Sequence, residues 1–136
     1  MVETSKLVND LIKKYETNDP FILADKLGIW IYKCPLGKIN GHYIYAKRKK
    51  VFFINEDLTF FGSVITCAHE LGHALLHSKT NAYFSYKNNF ENKSPLEIEC
   101  NRFAAHLLIQ ENSKYKNMIS PNFSISIKEG FPKVFK

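Results

Sequence analysis

The chain has 136 residues, 45% of them hydrophobic and 24% charged, which is one domain's worth of ordinary globular composition. These values exclude intrinsic disorder and a collagen-like repeat, and no apolar run approaches the ~20 residues that a membrane span requires. The net charge is +6, yet only Arg48 and Arg102 among the 19 basic residues are arginine, the usual reader of base edges, so direct nucleic-acid binding is disfavoured. Cys34, Cys67 and Cys100 form no CxxC pair and read as reduced thiols. The polar start MVETSKLVND is unlike a secretory signal. Both features point to a cytoplasmic protein.

Ser5 is placed to cap a first helix whose apolar stripe is Leu7, Val8, Leu11 and Ile12. Asp19-Pro20 announces a second helix, with Gly28 as its left-handed terminator. Ile29 to Tyr32 reads as a strand closed by Pro35 and Gly37, and residues 42–46 and 51–54 form a hairpin around the basic turn Lys47-Arg48-Lys49-Lys50. An edge of that hairpin is expected to hold an extended peptide by strand addition. From Leu58 to about His77 apolar residues occur on nearly every side, which predicts a central, buried helix. Residues 78–93 are polar and read as a long loop. Ser94-Pro95 then starts a last helix that runs to about Ile109, and residues 111–136 receive no role.

The buried helix carries His69-Glu70-Leu71-Gly72-His73, an HExxH. Spacing of i, i+4 sets the two imidazoles about 40° apart on one face, where both reach one ion. With 5 histidines in the chain, chance produces such a motif on the order of 0.01 times. Glu70 is rotated about 100° from His69, near enough to serve a metal-bound water without ligating the ion. Two histidines leave a catalytic zinc one protein ligand short. The metzincin position for a third histidine is Lys79, so that class is excluded. The last helix offers Glu97 and Glu99. Glu97 shares a stripe with Asn101, Ala104 and Leu108 beside the apolar face, whereas Glu99 lines up with Arg102 and His106 as an exposed group. A carboxylate facing the core needs a cation, so Glu97 is the expected ligand, with Asn101 supporting it or an imidazole.

The segment HELGHALLH (69–77), preceded by VFFIN (51–55) and followed by EIECNRFAAHLL (97–108), resembles the ImmA/IrrE metallopeptidases. DPFILADKLGI (19–29) is similar to that family's entry helix and strand, so the resemblance covers about residues 19–110 of a chain read as one domain, 1–136. It implies an α+β, zincin-like core of gluzincin type. In that core a small antiparallel or mixed sheet packs on a central HExxH helix and a second ligand-bearing helix. It further implies one zinc on His69, His73 and Glu97, and Glu70 as catalytic base. The implied substrate is a helix-turn-helix repressor, cleaved in a bacterial cytoplasm by a minimal phage or mobile-element version of the family. Cys100 and Gln110 depart from the alanine and proline usual there.

Tyr43, Tyr83, Tyr86 and His106 are the expected stabilisers of an oxyanion, with no order among them. His77 cannot join His69 and His73 on one ion, because i, i+4, i+8 spans about 12 Å, so it is expected to support the site or cap the helix. HExxH selects geometry better than element, which leaves other divalent metals open. The alternative function is a non-catalytic, zinc-containing module that binds a repressor or toxin. An intact Glu70 and a site with only three protein ligands favour catalysis over it.

Overall fold

The computed structural model describes residues 4–77, 82–84, 95–110 and 115, with the backbone alone described at 82–84. The first helix, α1 (Thr4–Tyr15), buries Val8 and Leu11. It already includes Thr4, so Ser5 lies inside its first turn and is not its cap.

Helix α2 (Pro20–Lys26) starts as its sequence dictates. Asp19 Oδ1 accepts from the backbone N–H of Phe21 at 2.9 Å, and proline occupies the first helical position, where a missing N–H costs nothing. Its end is a Schellman motif: Gly28 takes φ +75°, its N–H donates to Asp25 O and that of Ile29 donates to Ala24 O.

The strands are β1 (Trp30–Cys34), β2 (Gly41–Ala46), β3 (Lys49–Asn55) and β4 (Ala82–Phe84), in the spatial order β1-β3-β2-β4. β1 runs parallel to β3, and β2 is antiparallel to both β3 and β4, so the sheet is mixed. The β2–β3 turn has Lys47 at φ 51° and Arg48 at φ 64°, the signature of a type I′ turn in side chains that ordinarily avoid it. This order narrows the expectation of an open edge at the hairpin. β3 is interior, and β4 covers β2 from Gly41 to Tyr43, so among the described residues the edges are β1, β4 and the Ile44–Ala46 end of β2. β4 itself falls in the segment expected to be loop.

Alternation along the strands sends Tyr43, Phe52 and Ile54 into the core. They pack there with α3 (Phe60–Leu76), which is capped by Thr59 and buried continuously from Gly62 to Ala74. The last helix, α4 (Pro95–Leu108), crosses α3 at Gly72. A Cβ on Gly72 would stand 3.2 Å from Cys100 Cα and 3.3 Å from Phe103 Cβ, so glycine is what permits this approach. Cys67 on α3 and Cys100 on α4 are buried as small apolar groups, their thiols raised well above the usual range by desolvation. The last helix also packs on α1, and Asn18 Nδ2 donates to Leu107 O at 3.0 Å, tying the α1–α2 link to its end. Together these elements form the zincin-like α+β architecture.

Candidate metal centre

The two crossing helices bring His69, Glu70, His73, Glu97 and Asn101 together in the core. His69, Glu70 and His73 on α3 are buried, and one potential ligand atom from each lies within 4.8 Å of the others. Glu97, in the first turn of α4, spans both imidazoles: Oε2 is 2.8 Å from His69 Nε2 and Oε1 is 3.2 Å from His73 Nε2. Asn101 lies one turn further on, with Oδ1 2.8 Å from His69 Nδ1. A proton on Nδ1 satisfies that contact and leaves Nε2, on the Glu97 side, as the lone pair a cation would take.

Electrostatics divide the two carboxylates. Burial pushes Glu97 upward, but its close contacts with the His69 and His73 rings outweigh that and hold it below the usual carboxylate range. Glu70 is pushed well above that range, first by desolvation and then by the charge of Glu97. Among the described residues no hydrogen-bond partner reaches either Glu70 oxygen. His73 is lowered chiefly by burial, which favours the neutral ring that a metal binds. Two imidazole nitrogens, a bridging carboxylate and a second, unsatisfied buried carboxylate are a donor set that fits a divalent cation.

The other expected residues are placed as follows. Tyr43 is fully buried, and its ring lies parallel to that of His73, 4° apart with centroids 6.4 Å apart. Burial pushes its hydroxyl pKa up to about 12, with smaller contributions from Tyr45 and Glu70. His77 is the C-cap of α3, and its Nε2 is 3.0 Å from Glu99 Oε1. Glu99 therefore faces the end of α3, which corrects its placement in an exposed stripe with Arg102 and His106. His106 is exposed, and it follows Glu97 by nine residues, or about 14 Å along the helix. Tyr83 pairs with His42 in β4 through its backbone, its side chain being outside the description, and Tyr86 lies outside the described residues.

Two residues not singled out from the sequence shape this centre. Gly41 brings β2 against α3: a Cβ there would stand 2.6 Å from Thr66 Cγ2 and 3.5 Å from Glu70 Cγ. A glycine opening a strand pattern is a signal of such close approach. Lys50 Nζ donates to Ala74 O at 2.9 Å, satisfying a carbonyl in the last turn of α3.

The family model described as the IrrE N-terminal-like domain, a peptidase family, matches residues 24–114. The chain belongs to that family, the ImmA/IrrE group. The match encloses α3 and α4 and every polar residue described at the centre, and it makes the chain metallopeptidase in type, with a divalent metal implied. The chain is 37% identical over 128 residues to Uncharacterized immunity region protein 2 of Bacillus phage phi105, covering 92% of this chain and 81% of that one. It is 33% identical over 106 residues to Metallopeptidase ImmA of Bacillus subtilis (strain 168), covering 76% of this chain and 62% of that protein. Among the described residues no helix is long and apolar enough to cross a membrane.

Proposed function

We propose that this family member is a zinc-dependent endopeptidase of the cytoplasm that cleaves a regulatory protein, a helix-turn-helix repressor of a phage or mobile element. One observation carries the catalytic part: Glu97 contacts Nε2 of both His69 and His73, while Glu70, buried beside them, has no hydrogen-bond partner among the described residues. One carboxylate is thus committed to the ligand set and the other is left to handle a proton. His69, His73 and Glu97 would hold the ion, and Asn101 would fix the His69 ring. When bound, zinc supplies Lewis acidity toward the scissile carbonyl and the attacking water. Glu70 accepts the proton of that water and then delivers it to the departing amine nitrogen. Its raised proton affinity suits the second task as well as the first. Tyr43 is assigned to packing, because its ring lies parallel against that of His73.

The substrate part rests on names that belong to relatives, an immunity region protein of a phage and a metallopeptidase. A protease linked to phage immunity acts most directly on the protein that maintains repression. The test is incubation of the zinc-loaded chain and of its Glu70→Gln variant with helix-turn-helix repressors encoded beside its own gene. Cleavage by the wild type, reduced at least ~10²-fold in a variant that keeps its zinc, is the expected result. Equal cleavage by both proteins overturns the role of Glu70, and no cleavage of any such repressor overturns the substrate.

A further inference from the structure

The sheet, among the described residues, leaves one edge open away from the metal centre. Among the described residues β1 pairs with β3 alone, and β3 separates it from β2, where Gly41 meets the Glu70 helix. Edge strands present alternate N–H and C=O groups outward, and exposed apolar ones are usually blunted by charge. β1 reads Trp-Ile-Tyr-Lys-Cys, with Trp30 48% and Tyr32 49% exposed. Its one charge does not stand out from the edge, because Lys33 Nζ is folded to 5.4 Å from the Phe21 ring centroid.

Beside this edge runs a groove of about 500 Å³ whose walls include Phe21 and Ile29 from the α2 side and Trp30 and Tyr32 from the strand. An aromatic strip leads from it across the sheet face opposite the helices. Trp30 meets Tyr32 edge-on at 6.5 Å, Tyr32 stacks on Phe53 at 5.9 Å, and Phe53 contacts His42 at 6.2 Å. The strip lies on that face because Phe52 and Ile54, the neighbours of Phe53, both point into the core. Two cations flank the groove, Lys33 over Phe21 and Lys49 over Trp30 at 4.2 Å, against Asp25, the single acid among the described residues that line it. The chain as a whole carries +6.

We infer that the open edge of β1 and its groove are a docking site for an extended acidic segment of another protein, added to the sheet as a fifth strand. Main-chain pairing along Trp30–Cys34 supplies the register, the partner's apolar side chains on one face lie along the aromatic strip, and its carboxylates on the helix side meet Lys33, while Lys49 adds positive charge beside Trp30. The charge balance decides the chemistry of the partner. A neutral apolar strand would leave both ammonium groups unmatched, and a basic one would face them in repulsion. Binding here leaves the metal centre open, so the site is independent of the catalytic reading and is tested without any cleavage assay.

The probe is a fluorescein-labelled heptapeptide of alternating glutamate with valine or phenylalanine, together with a twin carrying lysine in place of glutamate. Binding to the full chain is read by anisotropy and mapped by amide hydrogen exchange. The expected result is saturable binding of the acidic probe, slowed exchange in residues 30–34, and affinity at least ~10-fold weaker for the lysine twin and for Trp30→Ala/Tyr32→Ala. Both replaced side chains are half exposed, and thermal melting with zinc content checks that the variant is folded. No binding, equal binding of the twin, or protection confined to residues outside 30–34 overturns the proposal. Self-association of the chain that protects residues 30–34 and excludes the probe also overturns it, in favour of a second copy.

Discussion

Gly41 and Glu70 meet with no side chain between them, a Cβ on the glycine falling 3.5 Å from Glu70 Cγ. The nearer obstacle is Thr66 Cγ2 at 2.6 Å, a distance real Cβ atoms essentially never show. Gly41→Ala must therefore push β2 from α3, at a cost of about 1–3 kcal/mol. Melting temperature should fall and cleavage should weaken while zinc is retained. Adding Thr66→Ser removes the obstructing methyl and should restore much of both. Failure of the double variant to recover either one would place the effect elsewhere in β2.

Zinc content separates the carboxylates of α4. Glu97→Ala should lose tight zinc, because the group that spans both imidazoles is gone. Glu99→Ala should keep it, since its partner is His77. Asn101→Ala should weaken zinc affinity by roughly 10–100-fold through loss of the His69 Nδ1 contact. Competition with a chromophoric chelator measures all three; loss of zinc in the Glu99 variant alone would move the third ligand.

The pH dependence of the metal-free protein follows from Glu70. Its pKa is raised by burial and by Glu97, from an ordinary value of 4.5. A group raised on folding contributes stability that is full below its unfolded pKa and is lost as pH rises through its folded pKa. Metal-free wild type should thus weaken from about pH 4.5 upward relative to Glu70→Gln, whose side chain does not ionise. At pH 7 the metal-free variant should melt several degrees higher, and at pH 4 the gap should close. A gap of the same size at both pH values would show that Glu70 ionisation is not its cause.

The hairpin turn offers a gain in stability away from the centre. Lys47 and Arg48 both hold positive φ, at about 1–2 kcal/mol each for residues with a Cβ. Replacing them with Asn-Gly, the pair a type I′ turn favours, should stabilise the chain by about 1 kcal/mol or more. Urea unfolding with an unchanged m-value would register it; no shift in midpoint would mean that the turn relaxes in solution.

What the sequence made legible is what periodicity carries. His69, Glu70 and His73 lie within five residues of one helix, so their convergence follows from helical geometry alone. Glu97 could be chosen over Glu99 because only one of them shares a stripe with the apolar face. The same single-helix view misplaced Glu99, since it does not contain the end of α3, and His77, arriving beside it. Strand order was hidden for a similar reason: the pairing of β1 with β3 across a hairpin is a tertiary choice that no local pattern records. With three residues, β4 is too short to show alternation. Ser5 was misread because a capping side chain is equally at home in a first turn.

The β2–β3 turn and the Gly72 crossing also differ in when they form. Two residues join the hairpin strands, so its closure costs little chain entropy and its contacts come early. The α3–α4 crossing joins helices separated by a long connection, so its close fit at Gly72 is expected to form later. A change in the turn therefore acts mainly on the rate of folding. One at Gly72 acts mainly on the rate of unfolding, and so sets how long a folded molecule survives.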